Sequence, residues 1–62
     1  MNIKIERVKK NLSQRELAEM IGISLPTMRK YEEEPMAADG KTLCKMATIF
    51  ECSTDYLLER DL

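Results

Sequence analysis

The chain has 62 residues, of which 10 are lysine or arginine and 11 are aspartate or glutamate, so it is nearly neutral and large enough for one domain. Apolar residues make up 44% and charged residues 34%, which is typical of a globular protein. No apolar run exceeds three residues, which argues against a transmembrane span or a signal peptide. Without histidine, and with two cysteines, neither a zinc site nor a histidine-based catalytic triad can be assembled. We therefore predict no metal, no cofactor and no enzymatic activity.

The two cysteines, Cys44 and Cys52, are eight positions apart. On a single helix they would be separated by about 12 Å, which is too far for a disulfide. Two cysteines in a small chain without a secretory signal predict buried, reduced side chains in a cytoplasmic protein. The alternative is a redox-sensing pair.

Apolar residues recur at helical spacing from the start of the chain. Valine occurs once, and no stretch of strand length alternates between apolar and polar residues, so strands are not expected. Ile5, Val8 and Leu12 lie at i, i+3 and i+7. They predict a first helix over about residues 2–10 with these three side chains as its apolar face.

The second helix, predicted over 14–21, has clear signals at both ends. Ser13 and Glu16 have the spacing of a capping box, in which each side chain accepts a hydrogen bond from the other residue's backbone. Gly22 is expected to end the helix in a left-handed conformation, and Ile23 is then placed to pack back on the last turn.

Ser24 is the predicted N-cap of a third helix over 25–32, whose first turn tolerates Pro26 because its amides have no partners within the helix. At about 100° per residue, the residues of this helix separate into two arcs. The inner arc carries Met28, Tyr31 and Glu32, and the outer arc carries Pro26, Arg29 and Lys30, with Thr27 beside it and Leu25 at the N-terminal end.

The second half of the chain begins with a predicted loop over 33–40, which contains proline and an Asp-Gly pair. A fourth helix over about 41–50 follows, capped by Asp39, with Leu43, Met46, Ala47 and Phe50 on one face. Ser53 or Thr54 is expected to cap a short fifth helix that carries Tyr56 and Leu57. The predicted fold class is a compact all-α domain of five helices over residues 1–62.

The helices 14–21 and 25–32 are separated by a three-residue turn that contains glycine. This is the spacing of a DNA-binding helix-turn-helix, whose second helix enters the major groove. Residues 3–58 as a whole resemble the phage-repressor and Cro type of this family, also called XRE-like. The residues that carry the resemblance are Leu12-Ser13-Gln14-Arg15-Glu16-Leu17-Ala18, Gly22-Ile23-Ser24, then Met28, Tyr31 and Glu32, and finally Leu43, Met46-Ala47 and residues 53–57.

The resemblance implies a lambda-repressor-like fold and a DNA interface built on the third helix. Candidate base contacts are Leu25, Pro26, Thr27, Arg29 and Lys30, and candidate phosphate contacts are Gln14, Ser24, Lys30 and Lys41. An arginine or lysine can donate to guanine, and the methyl groups of leucine or threonine can contact thymine. The alternative for these residues is a solvated helix face.

Two further features follow from the resemblance. Arg7 is expected to form a structural pair with Glu32 that braces the third helix against the first. The segment 32–39 departs from the family pattern, because it holds four acidic residues and no cation where a basic loop is usual. This acidic segment is either a solvated turn or a surface for a regulatory protein partner.

The function predicted from these residues is that of a sequence-specific transcriptional regulator, a small stand-alone Cro-like or repressor-like protein that binds a DNA operator as a homodimer in the cytoplasm, with no membrane contact. The dimer contact is expected near the C-terminus, at Ile49, Tyr56, Leu58 and Leu62. The alternative is a protein-interaction module, such as an antitoxin or anti-repressor component, that uses the same fold without tight DNA binding.

The distribution of charge favours the DNA-binding regulator over the protein-interaction module. The nearly neutral total argues at first sight against nucleic acid. However, residues 1–31 carry seven cations and three acids, a net charge of +4, whereas residues 32–62 carry three cations and eight acids, a net charge of −5. The positive half contains the proposed DNA-binding helices.

Overall fold

The computed structural model describes residues 2–59 and contains, over that range, five α-helices and no strand. The helices are α1 (Asn2–Lys9), α2 (Gln14–Ile21), α3 (Leu25–Glu33), α4 (Gly40–Phe50) and α5 (Thr54–Leu57), with a 3-10 turn at Pro35–Ala37 between α3 and α4. The all-α fold class is therefore confirmed. None of these helices has the length and apolarity needed to cross a membrane.

The core is formed by apolar side chains from all five helices. The fully buried ones are Ile3, Leu17, Met28, Met46 and Leu57, and around them lie Ala18, Ile21, Ala38, Leu43 and Phe50. Because α2 and α3 each contribute one apolar face to this core, their opposite faces are turned outward.

The inner face of α1 differs from the sequence prediction. Ile5 and Val8 are 48% and 54% exposed, whereas Ile3 and Glu6 are buried. Leu12 cannot continue a stripe along α1, because the helix ends at Lys9 and Asn11 follows in a left-handed conformation with φ of 57°. The inner face is polar at one position, which is tolerated because the Glu6 carboxylate accepts hydrogen bonds from Tyr56 and Lys9.

The termini of α2 form as predicted. The Ser13 side chain accepts a hydrogen bond from the Glu16 amide at 3.0 Å, and the Ser13 amide donates to the Glu16 carboxylate at 2.9 Å. This second bond lowers the pKa of Glu16, because it favours the charged carboxylate. At the other end, the amides of Gly22 and Ile23 both donate to the carbonyl of Ala18.

Gly22 has φ of +91°, a conformation that side chains with a Cβ rarely adopt. We expect Gly22→Ala to lower the free energy of unfolding by about 1–2 kcal/mol, because the added Cβ strains the backbone in this region. The strain is conformational, since a Cβ at this position would meet no atom within 4 Å. Urea denaturation followed by circular dichroism measures the change.

Gly40→Ala is the matched control, because Gly40 lies in α4, a Cβ there also meets nothing within 4 Å, and its φ is ordinary. Alanine at such a position is expected to leave stability unchanged or to raise it by up to about 1 kcal/mol. Equal effects of the two substitutions would contradict the assignment of strain to Gly22.

The connection between α3 and α4 is more ordered than the predicted loop. The prediction of a loop over 33–40 was wrong in three places: α3 continues through Glu33, a 3-10 turn occupies Pro35–Ala37, and α4 begins at Gly40. Pro35 and Ala38 are buried, so the connection packs against the rest of the fold. This packing supplies order that the local composition of the segment does not predict.

The N-cap positions before the two helices of the second half hold aspartate and serine, as predicted. Asp39 occupies the N-cap position of α4, but its side chain makes no capping hydrogen bond. Ser53 is the cap of α5, where its hydroxyl oxygen accepts from the Tyr56 amide at 3.1 Å.

Both cysteines are free thiols, but only one has the environment expected from the sequence. Cys52 is half-buried, and its burial, together with the nearby Glu6 carboxylate, raises the pKa of its thiol. Cys44 is exposed, so the prediction that it is buried was wrong. The reason is its position on the side of α4 opposite to the core-facing Leu43 and Met46.

Candidate nucleic-acid interface

The outer face of α3 is formed by Pro26, Arg29 and Lys30, all of which are exposed. On the inner face Met28 is fully buried and Glu32 is 5% exposed, so the rotation of the helix about its axis is fixed. The two cations therefore project from a helix whose orientation is set by its buried side.

The N-terminal end of α3 is held by Ser24 and Thr27. The Ser24 hydroxyl oxygen accepts from the Thr27 amide at 3.3 Å and shares a hydrogen bond of 2.7 Å with the Thr27 hydroxyl. Thr27 and Leu25 are half-buried, so they are less accessible than the outer face. With its hydroxyl engaged, Thr27 has its methyl group left for an apolar contact.

Arg7 and Glu32, the predicted structural pair, lie together in a network that joins three helices. The Arg7 Nε donates to Glu32 Oε2 at 2.6 Å, and the side chains are 11% and 5% exposed. Arg7 Nη1 also donates to the backbone carbonyl of Leu12 at 2.8 Å. The remaining carboxylate oxygen of Glu32 accepts from Gln14 Nε2 at 3.0 Å. Glu32 thus connects α1, the first turn of α2 and the end of α3.

Gln14, a predicted phosphate contact, is oriented by this network. Because its amide nitrogen carries two hydrogens, one remains after the bond to Glu32. The bond fixes which end of the amide is the nitrogen, so that a donor and not an acceptor is held at the first turn of α2. The positive end of the helix dipole lies at the same place.

A cavity of about 440 Å³ lies beside Gln14, and the residues that line it are polar or charged: Lys4, Gln14, Arg29, Glu32 and Glu33. It brings together Gln14 and Arg29, both predicted site residues, with Lys4, which the sequence reasoning did not select. Lys4 precedes Arg7 by three positions on α1, so the two lie on neighbouring parts of one helix face. This spacing relative to Arg7 was the signal in the sequence that could have identified it.

Lys41, also a predicted phosphate contact, is exposed on the first turn of α4. It lines a different groove, which lies between α2 and α4. The structure therefore divides the predicted phosphate contacts between two places, with Gln14 at one and Lys41 at the other.

The acidic segment 32–39 presents fewer negative charges to solvent than its composition implies. Glu32 is buried and paired with Arg7, which leaves Glu33, Glu34 and Asp39 exposed. Because one of the four carboxylates is neutralised inside the fold, repulsion of a polyanion by this segment is weaker than the sequence alone indicates. Within residues 2–59 no three acidic or cysteine side chains are grouped so that they could hold a metal ion.

Two helices joined by a short glycine turn, with the second helix fixed by its buried side and cationic on its outer side, form a recognisable motif. A family model described as helix-turn-helix matches residues 3–57. The chain belongs to the helix-turn-helix family. The resemblance seen in the sequence is thereby confirmed.

Three relatives of this helix-turn-helix chain align over nearly all of it. It is 38% identical over 58 residues to the uncharacterized HTH-type transcriptional regulator YqaE of Bacillus subtilis (strain 168), and the aligned part is 94% of this chain and 50% of YqaE. It is 36% identical over 59 residues to the HTH-type transcriptional regulator ImmR of the same strain, and the aligned part is 95% of this chain and 46% of ImmR. It is 32% identical over 60 residues to Repressor protein C2 of Salmonella phage P22, and the aligned part is 97% of this chain and 28% of that repressor. The helix-turn-helix chain thus spans half or less of each relative, and no solved structure matches it with comparable significance.

Proposed function

We propose that this chain is a sequence-specific transcriptional regulator that binds double-stranded DNA with α3 in the major groove. The observation that carries the proposal is the exposure of Arg29 and Lys30 on α3, whose rotation is fixed by buried Met28 and Glu32. Membership of the helix-turn-helix family and the naming of the relatives as transcriptional regulators or a repressor support it. An enzymatic role has no such support.

Base reading is proposed for the N-terminal and outer residues of α3. Arg29 and Lys30 are the donors available for guanine, and a good bidentate contact contributes about 1–3 kcal/mol of discrimination. Pro26 acts by shape, because it has no amide hydrogen to donate. Leu25 and the Thr27 methyl offer apolar contacts to thymine at the half-buried edge of the same face.

Phosphate binding is proposed for the residues around the first turn of α2. The free hydrogen of the Gln14 amide, the helix dipole and the Lys4 ammonium lie beside one cavity, and a phosphate bound there would also have Arg29, Glu32 and Glu33 around it. Ser24, Lys30 and Lys41 are proposed as further phosphate contacts, of which Lys41 lies apart on α4. Arg7 and Glu32 serve to position Gln14 and α3.

A homodimer on a two-fold operator is the proposed binding form, with half-sites about 34 Å apart. Of the side chains predicted for its contact, Tyr56 is exposed and Ile49 and Leu58 are half-buried, while Leu62 lies outside the described residues. The Tyr56 hydroxyl donates to Glu6 on α1, whereas Ile49 lines the groove between α2 and α4, so among the described residues the proposed dimer contact rests on Tyr56 and Leu58. A single domain over residues 1–62, a repressing role and a cytoplasmic location complete the proposal.

Selection of binding sites from a pool of random DNA tests this function directly. We expect a palindromic consensus and an affinity that falls with salt, with a slope of about 0.9 per phosphate contacted. A variant with both Arg29 and Lys30 replaced by alanine is expected to enrich no consensus. If the unaltered chain enriches no sequence at low salt, the proposal fails and the protein-interaction module is the better assignment.

A further inference from the structure

Five residues at helical spacing form an outer face of α4, of which Ile49 also packs against the core. They are Lys41, Cys44, Lys45, Thr48 and Ile49, at i, i+3, i+4, i+7 and i+8. All but the half-buried Ile49 are exposed. The face runs almost the whole length of α4, which is about 16 Å for its 11 residues.

Met20 of α2 lies across from this face and completes an open groove of about 510 Å³. The side chain of Met20 is 55% exposed, and it lines the groove together with Ile49. Methionine is flexible and polarisable, and it is common at surfaces that accept partners. The groove therefore has an apolar floor, formed chiefly by Met20 and Ile49.

The rim of the groove is positively charged. Lys41 and Lys45 are four positions apart on the same helix, where two like charges repel each other. Lys45 Nζ donates to the Ile21 carbonyl at 3.2 Å, which holds the ammonium beside the C-terminal end of α2. Lys41 lies in the first turn of α4, where the helix dipole disfavours a cation and the nearby Asp39 carboxylate offsets this effect in part. No acidic residue is among the groove-lining side chains.

We propose that this groove docks an acidic amphipathic helix of a partner protein. Apolar side chains of that helix contact Met20 and Ile49, and its flanking carboxylates pair with Lys41 and Lys45. Charge complementarity decides the occupant, because carboxylates relieve both the repulsion between the lysines and the unfavourable position of Lys41. A second copy placed face to face about a two-fold axis would instead bring four lysines together.

The test uses a synthetic peptide of about 15 residues, long enough for its helix to span the face of about 16 Å, with leucines along one helical side and glutamates beside them. It is titrated into the isotopically labelled chain without DNA. We expect saturable chemical-shift changes at the methyl groups of Met20 and Ile49. Met20→Glu is expected to weaken binding at least about tenfold, and the Lys41→Ala/Lys45→Ala variant by a similar factor. Lys41 is also a proposed phosphate contact, but because the titration contains no DNA its result does not depend on DNA binding, and either proposal can fail alone.

Val8→Glu is the matched control, because Val8 is as exposed as Met20 but lies on α1. It is expected to bind the peptide as the unaltered chain does. A peptide in which every glutamate is replaced by lysine should not bind. The proposal is overturned by equal binding of both peptides, by shift changes outside the groove, by no binding at millimolar peptide, or by self-association of the chain through Met20.

Discussion

Replacing Arg7 with alanine is expected to lower the free energy of unfolding by about 3–5 kcal/mol. Arg7 and Glu32 are both largely buried, and their shortest contact is 2.6 Å. Without the guanidinium, the Glu32 carboxylate keeps only the Gln14 hydrogen bond inside the fold, and the Leu12 carbonyl loses the donor that Arg7 supplies. An uncompensated buried charge is among the largest penalties that one substitution can produce.

The loss is large relative to the total stability of so short a chain. At about 0.05–0.15 kcal/mol per residue, 62 residues are stabilised by only ~3–9 kcal/mol. Urea denaturation followed by circular dichroism should therefore find the variant partly unfolded near 25 °C. Arg15→Ala, which removes an exposed arginine from α2, is the control and is expected to change stability by no more than about 0.5 kcal/mol.

A double variant separates the loss of an ion pair from the loss of packing. In Arg7→Met/Glu32→Leu no unpaired charge is left, so most of the stability should return. Because Gln14 then has no carboxylate to orient it, DNA affinity should stay below that of the unaltered chain. Full stability in the single Arg7→Ala variant would contradict the bracing role of the pair.

Arg29→Ala is expected to weaken specific DNA binding by about 1–3 kcal/mol, which is roughly five- to 150-fold, and to relax preference at one base pair. Arg29 is exposed on the outer face of α3 and borders the cavity that contains Gln14 and Lys4. Fluorescence anisotropy at one salt concentration measures the affinity, and repeated site selection measures the preference. Lys30→Ala distinguishes a base contact from a phosphate contact at Lys30. Loss of a base contact relaxes the preference at one base pair, whereas loss of a phosphate contact weakens binding to all DNA sequences equally.

Lys10→Ala is the control for charge alone. It removes one cation from the same half of the chain, but its ammonium lies 3.4 Å from the Glu51 carboxylate and is not part of the α3 face. We expect a small effect that is equal for all DNA sequences. If Arg29→Ala weakens binding no more than Lys10→Ala, the assignment of α3 as the reading helix is wrong.

The features that the sequence predicted well are those determined within a few residues. The capping box of Ser13 and Glu16, the left-handed Gly22 and the cap at Ser53 each depend on local hydrogen bonds or on one backbone conformation. Such signals do not depend on which distant residues pack against the helix, so they can be recognised in the sequence alone. The helix-turn-helix at the centre of the chain consists mainly of these signals, so its bounds were correct to within a residue.

The features that were missed depend on partners distant in sequence. Glu6 is buried on α1 because Tyr56, 50 positions away, donates to it, and no local pattern indicates this. The order in the segment after α3 likewise depends on packing of Pro35 and Ala38 against the core. The hydrogen bond from Gln14 to Glu32, and the position of Lys4 beside it, depend on how α1, α2 and α3 pack together, so neither could be predicted from the sequence of one helix.

The separation of the two sides of α3 has a consequence for redesign. Met28 and Glu32 hold the helix in the fold, while the side chains of Pro26, Arg29 and Lys30 are exposed. The outer residues can therefore be exchanged for those of another regulator without disturbing the scaffold. A chain that keeps Pro26 and carries new residues in place of Arg29 and Lys30 should melt at a similar temperature and yet select a different DNA sequence, which makes α3 a replaceable reading element.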